Sequence, residues 1–273
     1  MTKQIGTYVI RAGVIWVAIL AGSILAALLL GLDNDEVADD GPLSGGQAFL
    51  IVNGLHALVL AAIATRASVS GWALGALLGA TLFLAQSFLL LIEALYFAGS
   101  VDAPLEELIA SGVITLTSAV CITIFAGLFW GRGRAPTSFD MSPPKLILPI
   151  AAVALLYVFA YFTAGYFIAW AVPDVRAYYG EGLDIDLAPL LAFQLFRGAI
   201  WALLALVLVR NMDAGRVMSA VIVGAAFSVL AAAQLLYPNA FMPWNVRLPH
   251  LIEVGISNFL FGAMAAMTLA KRA

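Results

Sequence analysis

Charged side chains that could bind a solute or move a proton interrupt the apolar runs of this chain. Arg197 lies in "FQLFRGAIWAL", Glu93 in "QSFLLLIEALYF", and His250 and Glu253 in "PHLIEVGISNFLFG". A charge inside an apolar run is costly in a bilayer, so each should have a partner or a function. Three interpretations of Arg197 stay open: a structural ion pair, a ligand-binding arginine for an anionic group, and a guanidinium that snorkels or lies in a water-filled groove. Glu93 is the expected resting partner of Arg197, or a proton carrier, and its own alternative is a carboxylate that reaches the membrane interface.

Uncharged polar side chains fall at a similar depth in several of the apolar runs. The pattern predicts a polar pocket that opens to the outside and binds a small anionic or polar ligand. Its expected lining is Glu93, Arg197, Asn53, His56, Gln86, Gln194, Glu253, Asn258 and Tyr161. Packing is the alternative for Tyr161, and a hydrogen-bonded structural role is the alternative for His56.

A second hypothesis assigns metal chemistry to the same region. His250 and Glu253 are three residues apart, which places them on one face of a helix. With His56 and Glu93 they would form a set of two imidazoles and two carboxylates, which suits zinc or iron, and two histidines alone can ligate haem. No dense ligand motif is present, so no cofactor is the main expectation, and a metal ion or haem is the alternative.

The elements that must position these residues are membrane-spanning helices. Of the 273 residues, 63% are hydrophobic and 11% are charged, and the mean hydropathy is +1.03. A helix needs about 20 apolar residues to cross the hydrocarbon core. We predict an all-α integral membrane protein of eight spans, numbered 1 to 8 here: 9–31, 47–65, 72–98, 109–130, 146–172, 190–209, 217–236 and 251–270. The single cysteine, Cys121, excludes an internal disulfide and is expected to be a small core residue.

Charge placement predicts the orientation. Ten of the 13 lysines and arginines lie at the termini or in alternate loops: Lys3, Arg11, Arg66, Arg132, Arg134, Lys145, Arg210, Arg216, Lys271 and Arg272. The positive-inside rule then places both termini in the cytoplasm of a bacterial-type inner membrane. Arg176 and Arg247 are assigned to loops on the outer side, where an acidic connection that includes Asp40 is expected to be a solvated surface.

The two halves of the chain resemble each other at an offset of 144 residues. "NGLHALVLAAIATRASVSG" (53–71) aligns with "RGAIWALLALVLVRNMDAG" (197–215), so that Gly54 matches Gly198 and Arg66 matches Arg210. We expect two parallel four-helix repeats, 1–131 and 146–273, joined by a cytoplasmic linker at 132–145. A duplication kept only for packing explains the same pattern.

Two further expectations concern span 3 and the connection after span 5. At 100° per residue, Gly71, Gly75, Gly79, Gln86 and Glu93 share one face, so Glu93 should point into the helix bundle. The connection "PDVRAYYGEGLDIDLAP" begins with Pro173 and carries Arg176, Tyr178 and Tyr179. It is a candidate lid over the pocket, and an inert interfacial segment is the alternative.

The motifs of soluble enzymes are missing from the sequence. There is no Walker loop, no dinucleotide glycine fingerprint, no HExxH, no serine elbow and no basic nucleic-acid patch. The expected partners are the lipid bilayer and a small solute, without nucleic acid, and the oligomeric state is left open. The best hypothesis is small-solute binding or transport. The alternatives are a metal- or haem-dependent redox protein and a non-catalytic assembly or sensory subunit.

Overall fold

A computed structural model describes residues 2–32, 40–97, 105–131, 143–180, 186–239 and 242–270. All long elements in these ranges are helices, and eight of them are long and apolar enough to cross a membrane. The chain is therefore an all-α, multi-pass membrane protein, as its composition predicts. Most of the predicted linker (132–142) lies outside the described residues.

The eight helices follow the predicted spans closely. They cover Gln4–Leu30, Gly45–Arg66, Gly71–Phe97, Leu105–Phe129, Pro144–Ala169, Leu187–Arg210, Arg216–Leu236 and Trp244–Leu269. A short helix, Pro173–Tyr179, follows span 5. Span 8 differs most from its prediction, because its helix begins at Trp244 rather than near residue 251. Arg247 is therefore inside this helix and not in a loop.

Two of the spans contain a π-helical turn, in which an extra residue widens one turn of the helix. One turn is Leu84–Phe88 in span 3, and the other is Gly165–Ala169 at the end of span 5. An extra residue rotates everything beyond it by about 100° relative to a regular helix. The predicted common face of the span 3 glycines and Glu93 is therefore wrong, because the π-turn lies between them.

The described chain divides into two compact units. The first contains spans 1 to 4 and the loop 211–214, and the second contains residues 40–44 and spans 5 to 8. In the first unit, Gly75 and Gly79 allow span 3 to touch the backbone of span 4. A Cβ on Gly75 would be 2.6 Å from the Cα of Thr123, and one on Gly79 would be 2.7 Å from the carbonyl oxygen of Ala119. These glycines therefore act as the sequence predicts, as sites of close helix approach.

The loop 211–214 joins the first unit through backbone hydrogen bonds. Ser68 N–H donates to the Asn211 carbonyl at 2.8 Å, and Asp213 N–H donates to the Arg66 carbonyl at 2.6 Å. The 144-residue offset matches these two loops with each other. The division into two repeats and the cytoplasmic position of the termini stay predictions.

In the second unit, spans 7 and 8 cross at glycines. A Cβ on Gly224 would lie 2.7 Å from the Phe259 carbonyl oxygen, and one on Gly262 would lie 3.0 Å from the Cα of Gly224. Span 5 packs between span 6 and span 8: Gly198 of span 6 meets Ala154, and Phe261 of span 8 meets Tyr157, with ring centres 5.2 Å apart. Span 5 therefore connects the polar residues of its two neighbours.

Candidate functional site

The strongest polar feature of span 6 is the pair Gln194 and Arg197. Both side chains are buried in an otherwise apolar helix, with Gln194 fully inaccessible and Arg197 only 6% exposed. Their spacing of three residues puts them on one face, where Arg197 Nη1 donates to Gln194 Oε1 at 3.0 Å. The carboxamide thereby uses its acceptor on the guanidinium. Its Nε2 donor is also buried and has no acceptor within the described residues.

Aromatic rings hold the guanidinium in place. The Cζ atom of Arg197 lies 5.7 Å from the ring centre of Tyr157 on span 5 and 5.8 Å from that of Phe193, one turn earlier on span 6. The electron-rich faces of these rings stabilise a cation where water is excluded. Gly198 makes the contact with span 5 possible, since a Cβ there would be 2.9 Å from the Cβ of Tyr157.

A second polar cluster lies at the start of span 8. His250 Nδ1 is 2.9 Å from Glu253 Oε2, and His250 Nε2 is 3.3 Å from the hydroxyl of Tyr179 on the short helix. Both side chains of the pair are largely buried, at 18% and 13% exposure. Gly165, in the π-turn of span 5, faces this carboxylate: a Cβ there would lie 3.6 Å from Glu253 Oε1.

Span 5 connects the two clusters. Tyr157, Tyr161 and Gly165 follow one another at intervals of four residues and so lie along one stripe of the helix. Tyr157 lies under the Arg197 guanidinium, Tyr161 stands 6.3 Å from Tyr157 between ring centres, and Gly165 lies beside Glu253. The stripe extends over roughly 12 Å, from the helix rise of about 1.5 Å per residue. Four of the predicted site residues of this unit, Gln194, Arg197, Tyr161 and Glu253, therefore lie along one side of span 5.

The short helix is docked at the Glu253 end of this stripe. Its Val175 is fully buried against Ala169 of span 5 and Val246 of span 8. Tyr179 stacks on Trp170, with ring centres 5.6 Å apart, and Arg176 Nη1 donates to the Trp170 carbonyl at 2.6 Å. The short helix thus bridges the ends of span 5 and span 8, and its role as a lid stays a prediction.

Asn258, the remaining predicted site residue of the second unit, forms a hydrogen bond within its own helix. Asn258 Nδ2 donates to the Val254 carbonyl at 2.9 Å, one turn earlier on span 8. This bond uses one donor of its amide within the helix. Its role toward a solute stays a prediction.

The predicted site residues of the first unit occupy spans 2 and 3. Asn53 is buried and donates to the Phe49 carbonyl of its own helix at 2.8 Å. His56 is fully buried, and neither ring nitrogen has a hydrogen-bond partner in the described part of the chain, which differs from the expected hydrogen-bonded histidine. Gln86 lies in the π-turn and is half-buried, as is Glu93 further along the helix. Whether Glu93 meets Arg197 stays a prediction.

The structure brings together one pair of the side chains that the metal hypothesis names as ligands. His250 and Glu253 touch. Within the described ranges, however, no three histidine, cysteine, aspartate or glutamate side chains gather as a metal site. The four-residue set His56, His250, Glu253 and Glu93 stays a hypothesis.

Two hollows in the second unit were not predicted. One, of about 530 Å³, is a largely apolar groove beside spans 7 and 8 lined by Ser228, Gly255 and Phe259. The other, of about 350 Å³, lies beside the short helix and includes Tyr166, Trp170 and Arg176. Neither is lined by Arg197 or Glu253. An outward-facing polar pocket stays a prediction.

Arg247 is the charged residue whose environment differs most from the one predicted from the sequence. It is fully buried, donates through Nη1 to the Tyr237 carbonyl at 2.7 Å and through Nη2 to the Asp40 carbonyl at 2.5 Å, and lies 3.6 Å from the Asp40 carboxylate. Asp40 also accepts from the N–H of Trp244 at 2.8 Å, at the start of span 8, where the helix dipole favours an anion. Asp40 is thus a structural partner rather than part of a solvated acidic surface. The spacing of Trp244 and Arg247, one turn apart, could have indicated a helix there.

The fold and these contacts define the class: an all-α, multi-pass membrane protein whose second unit holds two buried polar clusters along one helix. A scan against protein-family models, a search of curated proteins and a search of solved structures each found no match.

Proposed function

We propose that the protein binds a small solute with an anionic group, a carboxylate or a phosphate, at Gln194 and Arg197, and transports it across the membrane. One observation carries the proposal. The oxygen of the Gln194 carboxamide accepts from Arg197. Its buried Nε2 donor has no acceptor among the described residues and lies next to this guanidinium. Two adjacent groups that donate hydrogen bonds select an oxygen-rich anion as ligand.

The energetic argument supports a ligand at this position. A buried donor without an acceptor costs about 1–3 kcal/mol, which applies to Gln194 Nε2. A solute that accepts from both Gln194 and Arg197 would recover part of this cost. The aromatic rings of Tyr157 and Phe193 would keep the guanidinium in position when the solute leaves.

Substitution of Gln194 by Glu tests the proposal with little change of shape. The new carboxylate would stay 3.0 Å from Arg197, the present distance of Oε1, and would place an anion where the solute is proposed to bind. We expect Gln194→Glu to fold at least as stably as the wild type and to lose binding of anionic solutes by at least tenfold. Gln194→Met, which fills the space without a strong donor or acceptor, should weaken binding less, because it adds no carboxylate that competes with the solute for Arg197.

The measurement has two parts. Purified protein is screened against a panel of small carboxylates and organic phosphates by ligand-induced thermal stabilisation, and solutes that stabilise it are tested for uptake into proteoliposomes. The same solutes as uncharged amides or esters serve as controls. If Gln194→Glu binds the stabilising solutes as tightly as the wild type, the site is elsewhere. If binding occurs without uptake, the protein is a solute-binding subunit and not a transporter.

A further inference from the structure

The contacts of Tyr179, His250 and Glu253 suggest how access to the span 5 stripe is controlled. The three side chains form a chain of hydrogen bonds from the short helix to span 8, with distances of 3.3 Å and 2.9 Å. An ionised carboxylate only accepts, so Glu253 fixes the proton of the neutral imidazole on Nδ1. The other nitrogen, Nε2, then presents a lone pair to the hydroxyl of Tyr179.

We propose that this chain is a latch that holds the short helix closed over the end of the stripe. The inference rests on the proposed function, because it is the route of a solute to Arg197 that the latch would control. Tyr179 supplies the donor and His250 the acceptor. Glu253 acts as a positioning residue, since it selects the tautomer that can accept.

The surroundings of the latch are suited to a movable element. The short helix has seven residues and a small apolar contact, in which Val175 is its fully buried residue. Directly before it, span 5 ends in the π-turn Gly165–Ala169, and π-turns within helices are frequent at functional sites. Gly180, immediately after the short helix, has a φ of +71°, a conformation that favours glycine. A weakly seated helix between two such points can open without disturbing the spans.

Other polar contacts also hold the short helix and the start of span 8 in place. Arg176 is held by the Trp170 carbonyl, and Asp174 accepts from Asn245 Nδ2 at 3.0 Å. Arg247, one turn before His250 on span 8, is held by Asp40 and by the Tyr237 carbonyl. The latch therefore adds to these contacts, and its removal should loosen the short helix without unfolding the unit.

Hydrogen exchange of the backbone over residues 173–180, measured on solute-free protein in nanodiscs, tests the latch. Tyr179→Phe keeps the ring that stacks on Trp170 and removes only the hydroxyl. A hydrogen bond of ordinary net strength corresponds to about a fivefold change in an opening equilibrium, so exchange should rise about fivefold. Tyr166→Phe is the matched control, because this tyrosine is 69% exposed and lies just outside the short helix. Its exchange should equal that of the wild type.

A double-mutant cycle separates the latch from a general loss of packing. His250→Leu should raise exchange about as much as Tyr179→Phe, and the double variant should exchange no faster than either single one. Equal exchange in Tyr179→Phe and wild type, or additive effects in the double variant, would overturn the latch.

The outcome is independent of the test of the solute site. Exchange is measured without solute, whereas Gln194→Glu is tested by solute binding. If Tyr179→Phe exchanges like the wild type in a protein that binds anionic solutes, the latch is refuted and the proposed function stands. A working latch in a protein that binds no anionic solute would refute the proposed site.

Discussion

Arg197 donates a hydrogen bond from Nη1 to Oε1 of Gln194, three residues earlier on span 6, at 3.0 Å. The contact joins a buried arginine to a buried glutamine, and the Gln194 Nε2 donor has no acceptor among the described residues. This relationship gives the proposed solute site its preference for anions.

Arg197→Lys should weaken binding of an anionic solute by about tenfold while the protein stays folded. Lysine keeps the positive charge but lacks the planar fork that can bind an oxyanion and a carboxamide together. Isothermal titration with a solute from the screen would measure the change. Equal affinity in the two proteins would indicate that charge alone, rather than the guanidinium geometry, is used.

Gly198→Ala should destabilise the protein by about 1–3 kcal/mol, the usual range for overpacking a tight contact. Its Cβ would lie 2.8 Å from the Ala154 carbonyl oxygen and 2.9 Å from the Cβ of Tyr157. Gly54 matches Gly198 in the predicted repeat and is the control. There the nearest atom to a Cβ is 3.8 Å away, so Gly54→Ala should be neutral or slightly stabilising. Thermal unfolding in detergent would measure both, and equal shifts would contradict the close contact of spans 5 and 6.

Arg247→Leu should destabilise the protein by about 3 kcal/mol, because it removes a fully buried guanidinium that is hydrogen-bonded to the backbone and lies 3.6 Å from the partly exposed Asp40 carboxylate. Two backbone carbonyls, of Tyr237 and Asp40, would also lose a charged donor. Arg216→Gln serves as control, since the side chain is exposed and should change stability by no more than about 0.5 kcal/mol. Chemical unfolding followed by tryptophan fluorescence distinguishes the two. A neutral Arg247→Leu would mean that Asp40 and Trp244 hold this segment without the arginine.

The predicted orientation can be tested with single cysteines. In a Cys121→Ser background, Arg176→Cys should react with a membrane-impermeant maleimide in intact cells. Arg216→Cys should react only after permeabilisation. Both side chains are exposed, so accessibility is set by the side of the membrane and not by burial. The reverse pattern would invert the predicted topology.

The spans could be predicted from the sequence because a membrane helix reveals itself through length and hydropathy alone. The first and last residues of a span are harder to predict where a charged residue interrupts the apolar run. Span 8 starts at Trp244, and Arg247 is tolerated within it since Asp40, more than two hundred residues earlier, satisfies its charge. A partner so distant in the chain leaves no local pattern.

The face of a helix was less predictable than its existence. The count that placed Glu93 beside the span 3 glycines assumes a regular helix, and the π-turn Leu84–Phe88 breaks that assumption. By contrast, the pairs Gln194–Arg197 and His250–Glu253 each lie within one turn of a helix. Their contacts could therefore be expected from spacing.

Thus the sequence by itself determined that this is a multi-pass membrane protein, with the eight long apolar helices found in the described residues. It also determined which spans carry polar residues, and that Gln194–Arg197 and His250–Glu253 are neighbours. Hydropathy and helical spacing are local properties, and the primary structure contains them completely. Only the tertiary structure decided that Tyr157 lies beside Arg197, that Gly165 lies beside Glu253, and that Tyr179 reaches His250. These contacts depend on which helices pack together and on where glycines let them approach, and that is decided by the three-dimensional fit of whole surfaces.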